Sequence, residues 1–468
     1  MTRKAIYMGP RLKRLRRDLG LTQANMATDL EISPSYVALM ERNQRPLTAD
    51  LLLKLAVTYR IDVATLADDG QEELNARLQS VLREPIFADI DLPALDIADI
   101  AASYPAFGEA LLRLHTAYGE EQLALAERRE GTVGGPTDGP SRADPVNEAR
   151  AFLAARRNCF PALDDSAAAL ADELRCVEAM VARLKARHGL TVRFVESSVI
   201  LGALRWHDQH RDRVYLSQLL DDPARRFQLA LQLALLEVRA PIDALIAEGR
   251  FETASGRSLA RRALTNYWAA ALLMPYRPFS RAARKARHDI EALAREFGTS
   301  YEQVAHRLTT LQRPGEEGVP FFFLRVDRAG NVSKRLDGAG FPFARHGGAC
   351  PLWNVHSTFE APGRVITQRL ELPDGQRFIS IARTVTAGGG AYSAPVAQRS
   401  VALACSAEFA TQLVYAEGKD GAGFTPIGIA CHLCHRPQCI ARSAPPMGRD
   451  MAPDEHLESG VPFAFADR

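Results

Sequence analysis

The sequence predicts a multidomain chain with three parts: an all-α bundle at the N-terminus, an α+β middle domain and a strand-rich α+β C-terminal domain. Three observations predict it. Apolar residues recur at helical spacing through the first 130 residues. A run of Gly, Pro and Ser then breaks every period at residues 131–145. From about residue 319 the pattern changes to strand, turn, strand around Gly-containing turns. At 468 residues, one hydrophobic core is not expected to hold the chain together. The expected divisions are 1–68, 69–130 (a helical connector), 131–145 (a flexible linker), 146–315 and 316–468.

In the first segment, Leu12, Leu15, Leu19, Met26, Ala27, Leu30, Val37, Met40, Leu51, Leu52, Leu55 and Ala56 give several short apolar faces. Thr22 and Ser33 stand at N-cap positions, and Gly20 and Asn43 where helices should stop. The phrase LGLTQANMATDLEISPSYVALMERNQRPLT therefore reads as two helices joined by a tight turn. Residues 1–17 carry Arg3, Lys4, Arg11, Lys13, Arg14, Arg16 and Arg17 and no acid, although the net charge of the whole chain is only +2. A basic end of this kind suits a phosphate backbone.

These residues resemble the helix-turn-helix of phage and xenobiotic-response-type repressors. In that geometry only side chains near the start of the second helix reach base edges. The base-edge candidates are Ser33, Ser35, Tyr36 and Leu39; Arg14, Thr22, Gln23, Arg42, Asn43 and Arg45 are the candidates for phosphate contact. A homodimer or higher homo-oligomer on a palindromic double-stranded operator is the corresponding expectation, with residues 71–129 as the dimerising segment.

The middle segment is helical apart from TVRFVES and DRVYLS, which read as two short strands. ARRFQLALQLALLE at 224–237 and SLARRALTNYWAAALLMPY at 258–276 resemble the ImmA/IrrE metallopeptidase domain, whose zinc helix carries H-E-x-x-H. On that motif the two histidine positions hold Leu231 and Leu235, the glutamate position holds Gln232, and no acid occurs between 259 and 274. Zinc hydrolysis requires ligating nitrogen or oxygen and a general base. Leucine supplies neither, so no enzyme activity is expected. His207, His210 and His288 lack a partnered motif and read as surface or structural residues.

The C-terminal segment contains FFFLRVDRAGNVSKRL and RVITQRLELPDGQRFISIARTV, two strand-turn-strand phrases, and one helix expected around 406–416. Five of the seven cysteines lie from residue 350 onward. CHLCHRPQC places Cys431, Cys434 and Cys439 in a C-x2-C-x4-C array, a spacing that suits an iron–sulfur cluster, zinc, or free or disulfide-linked thiols. Cys405 and Cys350 are candidates for a fourth ligand. Cys159 and Cys176 read as small core residues.

The order of the three parts resembles the short-chain fatty-acid transcriptional regulators over nearly the whole chain. That resemblance implies control of propionate or acetate assimilation genes, acyl-CoA or CoA as effector, and an iron–sulfur cluster on three cysteines. An acyl-CoA needs a short apolar pocket and several cations. Leu231, Leu235, Tyr267 and Trp268 are the apolar candidates, and Arg205, Arg225, Arg226 and Arg277 the cationic ones. Two alternatives are a redox or iron–sulfur-sensing transcription factor, and a phage-type repressor or antitoxin without a small-molecule ligand. No apolar run approaches the roughly 20 residues of a membrane span. A cytoplasmic protein, at the nucleoid when bound to DNA and with no membrane partner, is expected.

Overall fold

The computed structural model describes residues 9–42, 44–59, 70–87, 90, 92–131, 144–336, 338, 341, 350–388, 392, 396–416, 423–447, 449, 451, 456, 460–463 and 465. The expected helix stop at Asn43 and residues 132–143 of the expected linker lie outside them. The chain divides into two compact units, one of residues 1–130, 373–376 and 432–468, the other of 131–372 and 377–431. No helix among the described residues is long and apolar enough to cross a membrane.

The first unit begins with α1 (Gly9–Asp18), α2 (Gln23–Asp29), α3 (Pro34–Glu41) and α4 (Ala49–Tyr59). Thr22 and Ser33 cap α2 and α3 as their sequence positions predict: Thr22 Oγ1 accepts the Asn25 N–H at 3.1 Å and Ser33 Oγ the Tyr36 N–H at 3.2 Å. Gly20, at φ +67°, closes α1 while the Leu21 N–H reaches back to the Arg16 carbonyl. Leu12, Met26, Leu30, Val37, Met40, Leu51 and Leu55 form one core from all four helices. Three further helices, α5 (Gly70–Leu82), α6 (Ala94–Ser103) and α7 (Pro105–Gly131), pack through Leu74, Leu78, Ile97, Ala101 and Leu112. Gly108 allows close packing here, because a Cβ would lie 3.1 Å from Leu78 Cδ1.

In the second unit, α8 (Pro145–Ala154), α9 (Pro161–Ala171) and α10 (Val177–His188) precede a small sheet. Its strands are β1 (Thr191–Val195), β2 (Arg205–Asp208) and β3 (Arg213–Ser217), in the order β1-β3-β2. Two of them were expected; β2 is an addition, since four residues with Arg, Trp, His and Asp carry no apolar alternation to announce a strand. The sheet is followed by α11 (Asp222–Glu237), α12 (Arg239–Ala247) and α13 (Ala254–Leu273). Leu229, Leu233, Leu264, Trp268 and Leu272 bring the last helices into one core with Val214 and Leu216 of β3.

After α14 (Tyr276–Lys285), α15 (Ile290–Phe297) and α16 (Tyr301–Leu308) comes a six-stranded sheet. Its strands are β4 (Phe322–Val326), β5 (Val332–Leu336), β6 (Ile366–Glu371), β7 (Arg377–Gly388), β8 (Val396–Ser406) and β9 (Thr425–Pro426), in the order β5-β4-β8-β7-β6-β9. The expected hairpins are β4–β5 and β6–β7; β8 lies between them in space and was not anticipated. Strand alternation divides the residues between two cores. Phe321, Phe323, Ile379, Ile381, Val401 and Leu403 meet the helices α14–α16. Phe322, Leu324, Val326, Phe378, Ala402 and Ala404 pack instead with Trp353 and Phe341. The first of these cores crosses residues 315 and 316, so the helices before that point and the strands after it share buried surface.

The helix expected around 406–416 is corrected to two 3-10 turns, Ala407–Gln412 and Val414–Ala416. Its carbonyls are claimed from outside the segment: Arg287 donates to those of Thr411 and Leu413, and His288 Nδ1 lies 3.1 Å from that of Gln412. An α-helix would need them internally. Cys176 is corrected from a core residue to an exposed one, at the N-cap of α10, whereas Cys159 is buried.

Candidate functional site

The start of α3 presents a short polar face. Ser33, Ser35, Arg42 and Arg45 are exposed, Leu39 is 36% exposed, and Tyr36 packs partly against the bundle core. Ser33 Oγ and Ser35 Oγ are 3.0 Å apart. Thr22 is exposed at the start of α2, its hydroxyl donating to Asn25 Oδ1 at 2.8 Å. For Arg14 only the backbone is described, and Asn43 lies outside the described residues.

Gln23 is placed differently from a freely exposed phosphate ligand. Its amide donates to Glu41 Oε2 at 2.7 Å, and Arg16 grips the same carboxylate through Nε at 2.5 Å and Nη2 at 3.2 Å. Arg16 Nη1 also donates to the Leu21 carbonyl at 2.8 Å, so one guanidinium ties α1, the turn and the end of α3 together. Burial opposes the charge of Glu41, but the hydrogen bonds from Arg16 and Gln23 and the Arg16 charge outweigh it and hold the carboxyl below its ordinary value. The sequence reading did not single out this clamp. Its available signal was a glutamate closing an otherwise apolar last turn.

In the second unit, the position where a zinc hydrolase needs its general base carries a satisfied amide. Gln232 Oε1 accepts from Arg205 Nη1 at 2.6 Å, and Gln232 Nε2 lies 3.2 Å from His207 Nδ1. Burial pulls the Arg205 guanidinium down to about 10. His207 thus serves the small sheet's contact with α11, while His210 is exposed and His288 buried.

The proposed apolar lining is only partly brought together. Leu231, Tyr267 and Trp268 belong to one core, in which Trp268 is fully buried, whereas Leu235 is 45% exposed. Both aromatic polar ends are taken: Tyr267 donates to Asp164 Oδ2 at 2.6 Å and Trp268 to Ser166 Oγ at 2.9 Å. The arginines are similarly engaged. Arg226 donates to the carbonyls of Phe297 and Gly298 and closes the end of α15, and Arg277 pairs with Glu316 at 3.0 Å. Arg225 donates to the Gln218 carbonyl and lies over the Phe194 ring. Each of the four candidate arginines thus has a partner within the protein, Arg205 through Gln232.

A second buried ion pair was also missed. Arg307 and Asp164, both with fully buried side chains, meet at 2.7 Å across 143 positions of sequence. Arg307 further donates to the Met274 carbonyl at 3.0 Å and Thr310 Oγ1 at 3.0 Å. Burial opposes its charge, and the Asp164 and Tyr267 oxygens outweigh that opposition.

Of the cysteines, Cys405 is buried on β8 and Cys350 in the core on the other face of the sheet. Cys434 is buried, and Cys431 and Cys439 are half-buried. Among the described residues no three His, Cys, Asp or Glu side chains gather so as to hold a metal ion.

Three family models match the chain in order: a helix-turn-helix over residues 12–66, an IrrE N-terminal-like domain over 185–309, and the C-terminal domain of short-chain fatty acyl coenzyme A regulators over 310–463. The chain is 40% identical over 466 residues to a propionyl-CoA carboxylase regulator of Cereibacter sphaeroides, covering 99% of both chains. It is 37% identical to the HTH-type transcriptional regulator RamB of Mycobacterium tuberculosis, covering 98% of both. It is 34% identical to the regulator PrpR of the same organism, covering 99% of this chain and 96% of that one. A solved Mycobacterium tuberculosis transcriptional regulator superposes with a TM-score of 0.65 at 36% identity, covering 69% of this chain and 99% of that one.

Proposed function

The chain belongs to the family of short-chain fatty acyl coenzyme A regulators, and from that membership we propose that it is a DNA-binding transcriptional regulator of propionate or acetate assimilation genes, with an acyl-CoA as effector. The observation that carries the regulatory reading over a peptidase one is Gln232. An amide held between Arg205 and His207 cannot activate water, and its neighbours on the same helix, Leu231 and Leu235, cannot ligate zinc. The exposed Ser33–Ser35 end of α3 supports its use on DNA, with Leu39, Arg42 and Arg45 beside it.

In this reading the effector binds one of two arrangements of the chain more tightly and so changes operator affinity. A homodimer on a palindromic site follows from the helix-turn-helix, and Leu95, Tyr104, Phe107, Leu114 and Tyr118, exposed on α6 and α7 or between them, supply an apolar surface for it. Titration of the full chain with acetyl-, propionyl- and butyryl-CoA is expected to give saturable binding with a preference among acyl lengths. The preferred compound should shift the affinity for operator DNA, which the chain should bind two copies at a time. A folded chain that binds none of them overturns the effector reading and leaves the DNA-binding one.

The Cys431, Cys434 and Cys439 array enters the proposal on its spacing, as an iron–sulfur site. Anaerobically purified protein is expected to carry iron and sulfide that Cys434→Ser removes. Iron content that is absent from the wild type, or retained in the variant, removes the cluster from the proposal.

A further inference from the structure

One face of the β4–β5 hairpin carries more positive charge than its surroundings answer. The register sets Arg325 opposite Lys334, two cations side by side on the face that meets α16, and like charges so placed destabilise a sheet. Glu302 of α16 answers one of them, accepting from Arg325 at 2.6 Å. Lys334 lies with its ammonium 5.8 Å from the centre of the Phe323 ring and has no hydrogen-bonded carboxylate among the described residues. Arg262, exposed on α13, adds a third cation to the Lys334 surroundings and has no ion pair among the described residues, while its neighbour Arg261 is paired with Asp243 at 2.7 Å.

His306 completes the group, its ring edge-on to Phe323 with the centroids 5.9 Å apart. Burial, with the charges of Lys334, Arg307 and Arg325, keeps this imidazole neutral, so it offers one N–H donor. Burial also pulls Lys334 down to about 8 against the pull of Glu302, with Arg325 and Arg262 adding to the fall. At neutral pH the ammonium is still mostly charged. Three cations against one carboxylate leave a formal charge of +2; water meets the exposed Arg262, but the Lys334 charge lies in partly buried surroundings, where it is costly unless a ligand meets it.

We propose that Arg262, His306, Arg325 and Lys334 form an anion site for a phosphate group. A phosphate monoester matches it in charge, being close to a dianion at neutral pH, and in offering three acceptor oxygens to donors from two helices and a hairpin. A carboxylate would leave half the charge unanswered. The phosphate is either one carried by the acyl-CoA effector, which rests on the functional reading above, or free inorganic phosphate. Arg226 and Arg277, two of the arginines named from the sequence, do not compete for this role, since they are held by carbonyls and by Glu316.

The test uses the full chain with Lys334→Met, which keeps the stem over Phe323, and Arg262→Gln, at an exposed helix position. Inorganic phosphate and propionyl-CoA are each titrated calorimetrically, and melting is compared in phosphate and in chloride of equal ionic strength. Both substitutions are expected to weaken phosphate binding about tenfold or more, the loss of one charge-assisted hydrogen bond. Lys334→Met should also melt above the wild type in chloride, by relief of like-charge repulsion, with the difference narrowing or reversing in phosphate. A parallel loss of propionyl-CoA affinity assigns the site to the effector; phosphate binding lost with propionyl-CoA binding intact assigns it to free phosphate. A wild type that binds phosphate but no acyl-CoA supports the anion site and overturns the effector reading. If folded variants bind both compounds as the wild type does, or if Lys334→Met melts lower in both buffers with both affinities unchanged, the site is overturned.

Discussion

Asp164→Ala is expected to destabilise the second unit by about 3–5 kcal/mol, the cost of leaving a buried charge without its partner. Arg307 is fully buried, and Asp164 is its only hydrogen-bonded carboxylate among the described residues. Without it the guanidinium keeps the Met274 carbonyl and Thr310, which satisfy donors but do not neutralise charge. Tyr267 loses its acceptor at the same time. Arg307→Met alone should be similarly harmful, stranding the carboxylate. Asp164→Leu with Arg307→Met should recover much of the loss, because two matched apolar side chains avoid the desolvation of the pair. All three tryptophans, Trp206, Trp268 and Trp353, lie in this unit, so their fluorescence during guanidinium unfolding reads its stability apart from the helical bundle. Equal midpoints for wild type and Asp164→Ala would mean that the pair contributes nothing to the fold.

Glu41→Ala is expected to loosen the helix-turn-helix by about 2–3 kcal/mol, since Arg16 and Gln23 both lose the charged acceptor that joins α1, α2 and α3. Amide hydrogen exchange within residues 9–59 should then quicken by about 30-fold to 140-fold, at one factor of ten per 1.4 kcal/mol, with the second unit unchanged. Operator binding should fall with it, because the angle between α2 and α3 sets the second helix against the groove. The same clamp gives a pH dependence. A carboxyl held below its ordinary value of 4.5 contributes stability that is present above that value and is lost as pH falls through the folded value. The stability of the wild-type bundle should therefore fall more steeply on acidification than that of Glu41→Gln, whose amide has no proton to take up in this range, and should converge on it in acid. Unchanged exchange in Glu41→Ala would show that the apolar core of the bundle alone fixes the helices.

Much of the fold was legible because it is locally coded. Thr22 and Ser33 act three residues ahead of the N–H groups they accept, so position along the chain suffices to predict them. The alternation Phe321, Phe323 against Phe322, Leu324 needs only a period of two, and both hairpins carry their turns within them. β2 and β8 were missed for a related reason. RWHD lacks an apolar period, and β8 pairs with β4 and β7 at long range without a turn beside it. The 406–416 segment reads as helix by its own propensity and loses that form to donors from residues 287 and 288.

For the candidate sites the division is sharper. Reading along the chain is enough to establish the helix-turn-helix, the positions of its serines, and that residues 231, 232 and 235 cannot hold zinc. Each of these depends on residue type and short spacing. Which charges are answered emerges from the folded chain: Gln23 and Arg16 share Glu41, Arg307 meets Asp164, Arg226 and Arg277 are engaged by carbonyls and Glu316, and Lys334 stands opposite Arg325. The energy of a charge depends on what lies within a few ångströms and on whether water reaches it. Those are properties of chain segments brought together from far apart, and a list of arginines in order along the chain does not contain them.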